Sequence, residues 1–161
     1  MSRPALDDPD LRAWRDRTLY RLLLRASRAE TTTTLERIHR LGFDDVSLVD
    51  TALLANLDTG GTIISALARR AGVSRQAAGQ QVAALERAGY VHRKASESDG
   101  RAAVIVQTEK GLALLDAAID VVAALEDEYT DHLGAERMAL LKELLTDFLA
   151  RVDPAGALGR N

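Results

Sequence analysis

The sequence predicts a mainly α-helical fold carrying one small β-hairpin, and three observations in the middle of the chain predict it. First, two short helical patterns meet at a glycine corner. Residues 65–71 carry Ala66, Leu67 and Ala71 as small apolar positions, Gly72 ends them, and Ser74 is placed to cap the next helix. Second, Ala78, Val82 and Leu85 recur at i, i+4, i+7, so one face of that next helix packs inward. Its opposite face carries Arg75, Gln76, Gly79, Gln80, Ala83 and Arg87, side chains suited to phosphates and base edges. Third, Gly89 stops the helical pattern, and residues 90–93 and the β-branched run 103–106 read as paired strands. Between them, residues 96–101 are turn chemistry, with Asp99-Gly100 the strongest hairpin signal. The combination is a winged helix-turn-helix, whose expected function is DNA binding.

Upstream, residues 11–40 read as one long, mostly helical segment. Leu11, Trp14, Thr18 and Leu22 space as a stripe with Leu19, Leu23 and Ala26 beside it, and Gly42 is the C-terminal stop. Thr31 to Thr34 disfavour helix locally, because each is β-branched; they read either as a bend or as hydroxyls lining a ligand cavity. A second helix is expected from Ser47, since S-L-V-D sets an acid three residues after a capping hydroxyl. It runs through Leu53, Leu54 and Leu57 until Thr59-Gly60-Gly61 breaks it, and Thr62 is placed to cap the helix that follows. Beyond the hairpin, one helix is expected from about Thr108 to Leu133, ended by Gly134. A last helix covers residues 135–152, where Met138, Leu141, Leu145, Phe148 and Val152 recur at i, i+3, i+4 spacing. Residues 153–161, with Pro154, Gly156 and Gly159, read as a frayed tail.

The chain has 161 residues and net charge -3, with 47% hydrophobic and 28% charged residues, an ordinary globular composition. It has no cysteine, which excludes disulfides, thiolate chemistry and cysteine-based zinc sites. The charge is unevenly spread. Residues 65–103 hold seven Lys/Arg against three acids, whereas the rest of the chain holds 14 against 21. A basic segment in an acidic chain is the footprint expected of a DNA-contacting surface. No apolar run approaches the roughly 20 residues that span a bilayer, and the N-terminus is charged where a signal peptide is apolar, so the expectation is a cytoplasmic protein with no membrane partner. His39, His92 and His132 have no ligand spacing, no phosphate loop or Ser/His/Asp arrangement appears, and the reading is a non-enzyme without cofactor or metal.

The first and last helices carry more apolar surface than a compact winged helix needs for its own core. Such surplus is buried against a partner, and a helix-turn-helix gains from two-fold symmetry because two recognition helices read two half-sites. A homodimer is therefore expected, with Leu11, Trp14, Leu22, Met138, Leu141, Leu145 and Phe148 at its interface. The alternative is that these helices pack only on their own chain. One integrated domain is expected: an N-terminal dimerisation region at residues 1–42, a DNA-binding region at 43–107, C-terminal dimerisation helices at 108–152 and the tail at 153–161.

From about Phe43 to Gly111 the chain resembles the MarR family of bacterial transcriptional regulators. The likeness rests on LARRAGVSRQAAGQQVAALERAGYV and the wing SESDGRAAVIVQTEKG, and the helix order on both sides extends it over most of the chain. The resemblance implies that residues 74–81 enter the major groove and that Arg101 at the wing tip enters the minor groove, oriented by Asp99. It also implies a dimer joined by the terminal helices and a small aromatic or anionic ligand that weakens DNA binding. The full set of DNA-contacting candidates is Thr62, Ser74, Arg75, Gln76, Gly79, Gln80, Arg93, Lys94, Asp99 and Arg101. Two readings stand for Gly79, close approach to DNA or tight helix packing. Two departures from the family pattern leave the operator sequence open: Ala77, Ala78 and Gly79 stand where many members carry hydroxyl or basic side chains, and Ser98 stands where a proline is common. The competing function is a winged-helix interaction module without sequence-specific DNA binding.

Overall fold

Thr18 divides the N-terminal helical segment. In the computed structural model, which describes residues 9–95 and 103–154, its hydroxyl donates to the Arg15 carbonyl at 2.8 Å and accepts from the Arg21 N–H at 3.4 Å. The expected single helix is therefore two, α1 (Pro9–Asp16) and α2 (Leu19–Arg40). A hydroxyl that serves the end of one helix and the start of the next replaces the ladder bonds that would have joined them. The four threonines do not bring the expected bend, since α2 runs unbroken through them and the Thr31 hydroxyl returns to the Ser27 carbonyl at 2.8 Å. Leu35 and Ile38 of the same helix pack on the core, which outweighs the few tenths of a kcal/mol that β-branching costs.

The Ser47–Asp50 capping box forms as expected and starts α3 (Leu48–Ala55). The helix ends before Leu57, at Asn56. A strand that local sequence does not signal comes next: β1 (Thr62–Ile63). It pairs antiparallel with β3 (Ala103–Gln107) through Thr62↔Ile105 and Ile63↔Val104, and β3 pairs with β2 (Val91–Ala95) from Val91↔Gln107 to Ala95↔Ala103. The sheet order is β1-β3-β2. Pairing with Ile105 draws Thr62 into the sheet, so it does not cap α4 (Ile64–Arg70); Ile63 holds the cap position without a side-chain bond. The remaining helices are α5 (Arg75–Arg87), α6 (Glu109–Leu133) and α7 (Ala135–Val152).

The helices from α2 to α6, with β2 and β3, supply the core, whose buried members include Ile38, Leu54, Leu67, Val82, Ile105 and Leu114. In α5 the inward positions are the expected Ala78, Val82 and Leu85. α2 is pinned to α6 by a two-pronged Arg37–Glu128 ion pair, both bonds 2.7 Å, and by the Tyr129 hydroxyl donating to Glu30 at 2.6 Å. The Arg37 bond holds the Glu128 carboxyl below its ordinary value, and the Glu30 bond pushes the Tyr129 hydroxyl up. α7 contributes no buried residue and lies along α6.

The start of α6 is locked onto the end of α5. Thr108 caps α6 by accepting from the Gly111 N–H at 3.1 Å. The same hydroxyl donates to the Gly89 carbonyl at 2.6 Å, and the Thr108 N–H donates to Tyr90 O at 3.0 Å. Lys110 Nζ donates to Ala88 O at 3.0 Å and to Asp45 Oδ2 at 3.1 Å while lying 4.0 Å from the Tyr90 ring centre. Tyr90 is buried, and its hydroxyl donates to the other oxygen of Asp45. That bond, and next Lys110, hold the Asp45 carboxyl below its ordinary range, while burial first and Asp45 second push the Tyr90 hydroxyl up. Gly111 approaches so closely that a Cβ would overlap the Tyr90 carbonyl oxygen.

Candidate nucleic-acid interface

Three buried apolar positions orient α5, and everything on its far side is displayed. Ser74 Oγ accepts from the Ala77 N–H at 3.1 Å and fixes the helix start. Arg75, Gln76 and Gln80 are exposed, with Gly79 half-exposed between them. A Cβ at Gly79 would meet nothing within 4 Å, so this glycine does not serve tight packing within the chain. Arg75 at the helix start sits where backbone N–H groups and the helix dipole already favour a phosphate.

The neighbouring cations divide into held and displayed groups. Arg70 is held: it donates to Asn56 O at 2.8 Å and to Asp58 Oδ2 at 2.9 Å. The Arg70 bond, followed by that of Thr62, keeps the Asp58 carboxyl below its ordinary value. Thr62 is 3% exposed, accepts from the Asp58 N–H at 2.9 Å and donates to Asp58 Oδ2 at 3.1 Å. Its hydroxyl is engaged as donor and acceptor inside the fold, and the expectation that Thr62 contacts DNA is corrected on that ground. Arg93 on β2 sets its Nε 3.2 Å from Glu86, bracing the wing against α5. Lys94 is exposed on the same strand, and Arg69, Arg75 and Arg87 are exposed with no ion pair among the described residues. Asp99 and Arg101, the expected wing-tip pair, lie outside the described residues.

Sequence reasoning missed two arrangements. The Asp58–Thr62–Arg70 clamp fixes the loop before α4, and the Asp45–Tyr90–Lys110 cluster fixes the end of α5. Their local signals were weak, since Arg70 lies 12 positions from Asp58, and Tyr90 and Lys110 lie 45 and 65 positions from Asp45.

The terminal helices display the candidate interface residues. Trp14 is 66% exposed, Leu22, Leu141 and Phe148 are exposed, and Leu11, Met138 and Leu145 are half-buried. Leu23, Ala26, Tyr129 and Leu145 line an apolar hollow of about 520 Å³ between α2, α6 and α7. Among the described residues no His/Cys/Asp/Glu group is placed to hold a metal, and no helix is long and apolar enough to cross a membrane.

A cationic, amide-bearing helix presented beside a small antiparallel wing defines a winged helix-turn-helix DNA-binding protein. The comparisons narrow the class. The MarR family profile matches residues 44–102. A MarR family protein of Mycobacterium tuberculosis, solved in complex with salicylic acid, is 30% identical over 83% of this chain and 97% of its own, with TM-score 0.61. The transcriptional repressor CouR, solved bound to a 23-mer DNA duplex, is 29% identical over 89% and 98%, with TM-score 0.65. A point mutant of MepR from Staphylococcus aureus shares the fold at TM-score 0.70 and 19% identity, over 84% and 99%. No curated protein matches the sequence. The chain belongs to the MarR family and is a DNA-binding transcriptional regulator.

Proposed function

We propose that the chain binds a pseudo-palindromic operator as a homodimer and releases it when a small aromatic or anionic ligand binds. The carrying observation is the outer face of α5, where Arg75, Gln76, Gly79 and Gln80 are displayed with open space over the glycine. Gln76 and Gln80 are one turn apart and suited to paired bonds with adenine edges, while Ser74 and Arg75 take phosphates. Arg93 and Lys94 contact the backbone beside the wing, and Arg101 with Asp99 reads the minor groove. Residues 43–107 form the DNA-binding region, and the helices within 1–42 and 108–152 join the two protomers. The hollow of about 520 Å³ has the volume and lining for an aromatic ligand, which supports the release reading.

The test is selection of genomic fragments with purified protein, followed by titration of the enriched sequence at two salt concentrations. One inverted repeat, bound far more tightly than scrambled DNA, is expected. Binding without sequence preference that vanishes at moderate salt would replace this proposal with a protein-interaction module.

A further inference from the structure

The hollow between α2, α6 and α7 is lined by aliphatic side chains, by the hydroxyls of Ser27 and Tyr129 and, as its one charged group, by the Glu30 carboxylate. The Tyr129 hydroxyl occupies Glu30 Oε2 at 2.6 Å. The other oxygen, Oε1, has no hydrogen bond or ion pair with any described residue. Among the described residues no Lys or Arg lines the hollow.

The cations of the surrounding helices are turned away or already paired. Leu23, Ala26, Ser27 and Glu30 recur at i, i+3, i+4, i+7 and share one face of α2, which leaves Arg25 and Arg28 on the opposite face. Arg37 feels the Glu30 charge, but its guanidinium is spent on Glu128 through two bonds of 2.7 Å. Lys142 of α7 is held by Glu126 at 2.8 Å. Residues 126–131 of α6 hold four acids and no Lys or Arg. With Glu126 and Glu128 so paired, Asp127 and Asp131 still form no ion pair among the described residues, and the field beside the hollow is negative.

We infer that this hollow takes a small aromatic ligand bearing a protonated amine, its ring among the aliphatic side chains and its ammonium donating to Glu30 Oε1. The inference rests on the ligand-release reading and narrows the ligand from aromatic or anionic to aromatic and cationic. A carboxylate ligand would bring a second negative charge beside Glu30, into an apolar site with no cation to receive it. An ammonium there gains a charge-assisted hydrogen bond, and the tyrosine ring adds an attraction that only a cation receives.

The test compares three probes of one shape on the whole chain by isothermal titration calorimetry. They are para-phenylbenzylamine, a cation at neutral pH, para-phenylbenzyl alcohol, which is uncharged, and para-phenylbenzoate, an anion. The amine is expected to bind about tenfold more tightly than the alcohol, and the benzoate more weakly than either. Glu30→Gln keeps an acceptor for the Tyr129 hydroxyl and removes only the charge. It is expected to weaken the amine about tenfold and to leave the alcohol unchanged, a split that a merely structural role would not produce. Ala26→Trp, at an exposed lining position, fills the hollow and is expected to abolish binding of both. Circular dichroism checks that each variant is folded. Tightest binding of the benzoate, or equal weakening of amine and alcohol by Glu30→Gln, overturns the cationic class and leaves the ligand reading standing. Amine binding that survives Ala26→Trp overturns the assignment to this hollow. Failure of all three probes to bind overturns the hollow as a ligand site, and the ligand reading drawn from it.

Discussion

Replacing Gly79 by alanine should make the protein more stable and a poorer DNA binder. The residue lies inside α5 with no positive φ, and a Cβ there meets nothing within 4 Å. The new methyl therefore brings no clash and removes the extra freedom a glycine loses on entering a helix, about 0.8–1.0 kcal/mol in favour of the folded chain. For 161 residues that corresponds to a rise in Tm of about 2–4 °C. On the DNA side the same methyl stands at the centre of the outer face, beside Gln76 and Gln80. Holding the helix back from the groove costs contacts along its whole length, and a tenfold weaker operator affinity, about 1.4 kcal/mol, is expected. Calorimetry and fluorescence anisotropy on an operator fragment read the two effects separately. A lower Tm would refute the placement of Gly79 on an open helix face. A raised Tm with unchanged affinity would refute the close approach of α5 to DNA.

Four further outcomes follow from the geometry. Gly111→Ala forces a Cβ onto the Tyr90 carbonyl oxygen and should cost about 1–3 kcal/mol in denaturant unfolding. Thr62→Val removes the hydroxyl that pairs with Asp58 and should cost about 1 kcal/mol while operator affinity stays at the natural value, since the side chain is buried. The Asp45 carboxyl is held below its ordinary value, chiefly by the Tyr90 hydroxyl, so its stabilisation is complete above about pH 4 and is lost as pH falls through the lowered value. Unfolding midpoints measured from about pH 6 down to about pH 2 should fall less steeply for Asp45→Asn than for the natural chain. Arg101→Ala should weaken operator binding strongly with little change in Tm, and an unaltered affinity would count against a minor-groove role for the wing tip.

Contacts within one helix turn were legible in the sequence, and contacts across the fold were not. Ser47 and Ser74 cap the helices their spacing suggests, because a cap needs only a hydroxyl and the N–H groups of the next turn, and Thr108 caps the helix expected to begin near it. The inward face of α5 followed from three apolar residues at helical period. Thr18 was misread for the same local reason: its place in an apolar stripe suggested continuity, while its hydroxyl was free to end one helix and begin another. Strand β1 is two residues long and exists through its pairing with β3, some forty residues later, which no local pattern encodes. Thr62 looked like a cap facing DNA until that pairing buried it. On the candidate interface, the amide and cationic face of α5 could be read directly, whereas the pairing of Arg70 with Asp58 and Asn56 could not, so sequence alone overstated how many cations are displayed.

The lock between α5 and α6 has a mechanical consequence. Thr108 and Lys110 donate to three successive carbonyls, of Ala88, Gly89 and Tyr90, at the end of α5, with Gly111 packed close on the last, so α5 and the 25-residue α6 are coupled as one body. At 1.5 Å per residue, α6 is an arm about 37 Å long. Pivoting that arm by about 5° at its far end sweeps the reading head through about 3 Å, the length of a hydrogen bond. A small rotation at the Leu133 end of α6 is thus enough, at the other end of the arm, to shift the exposed Gln76 and Gln80 by a hydrogen-bond length.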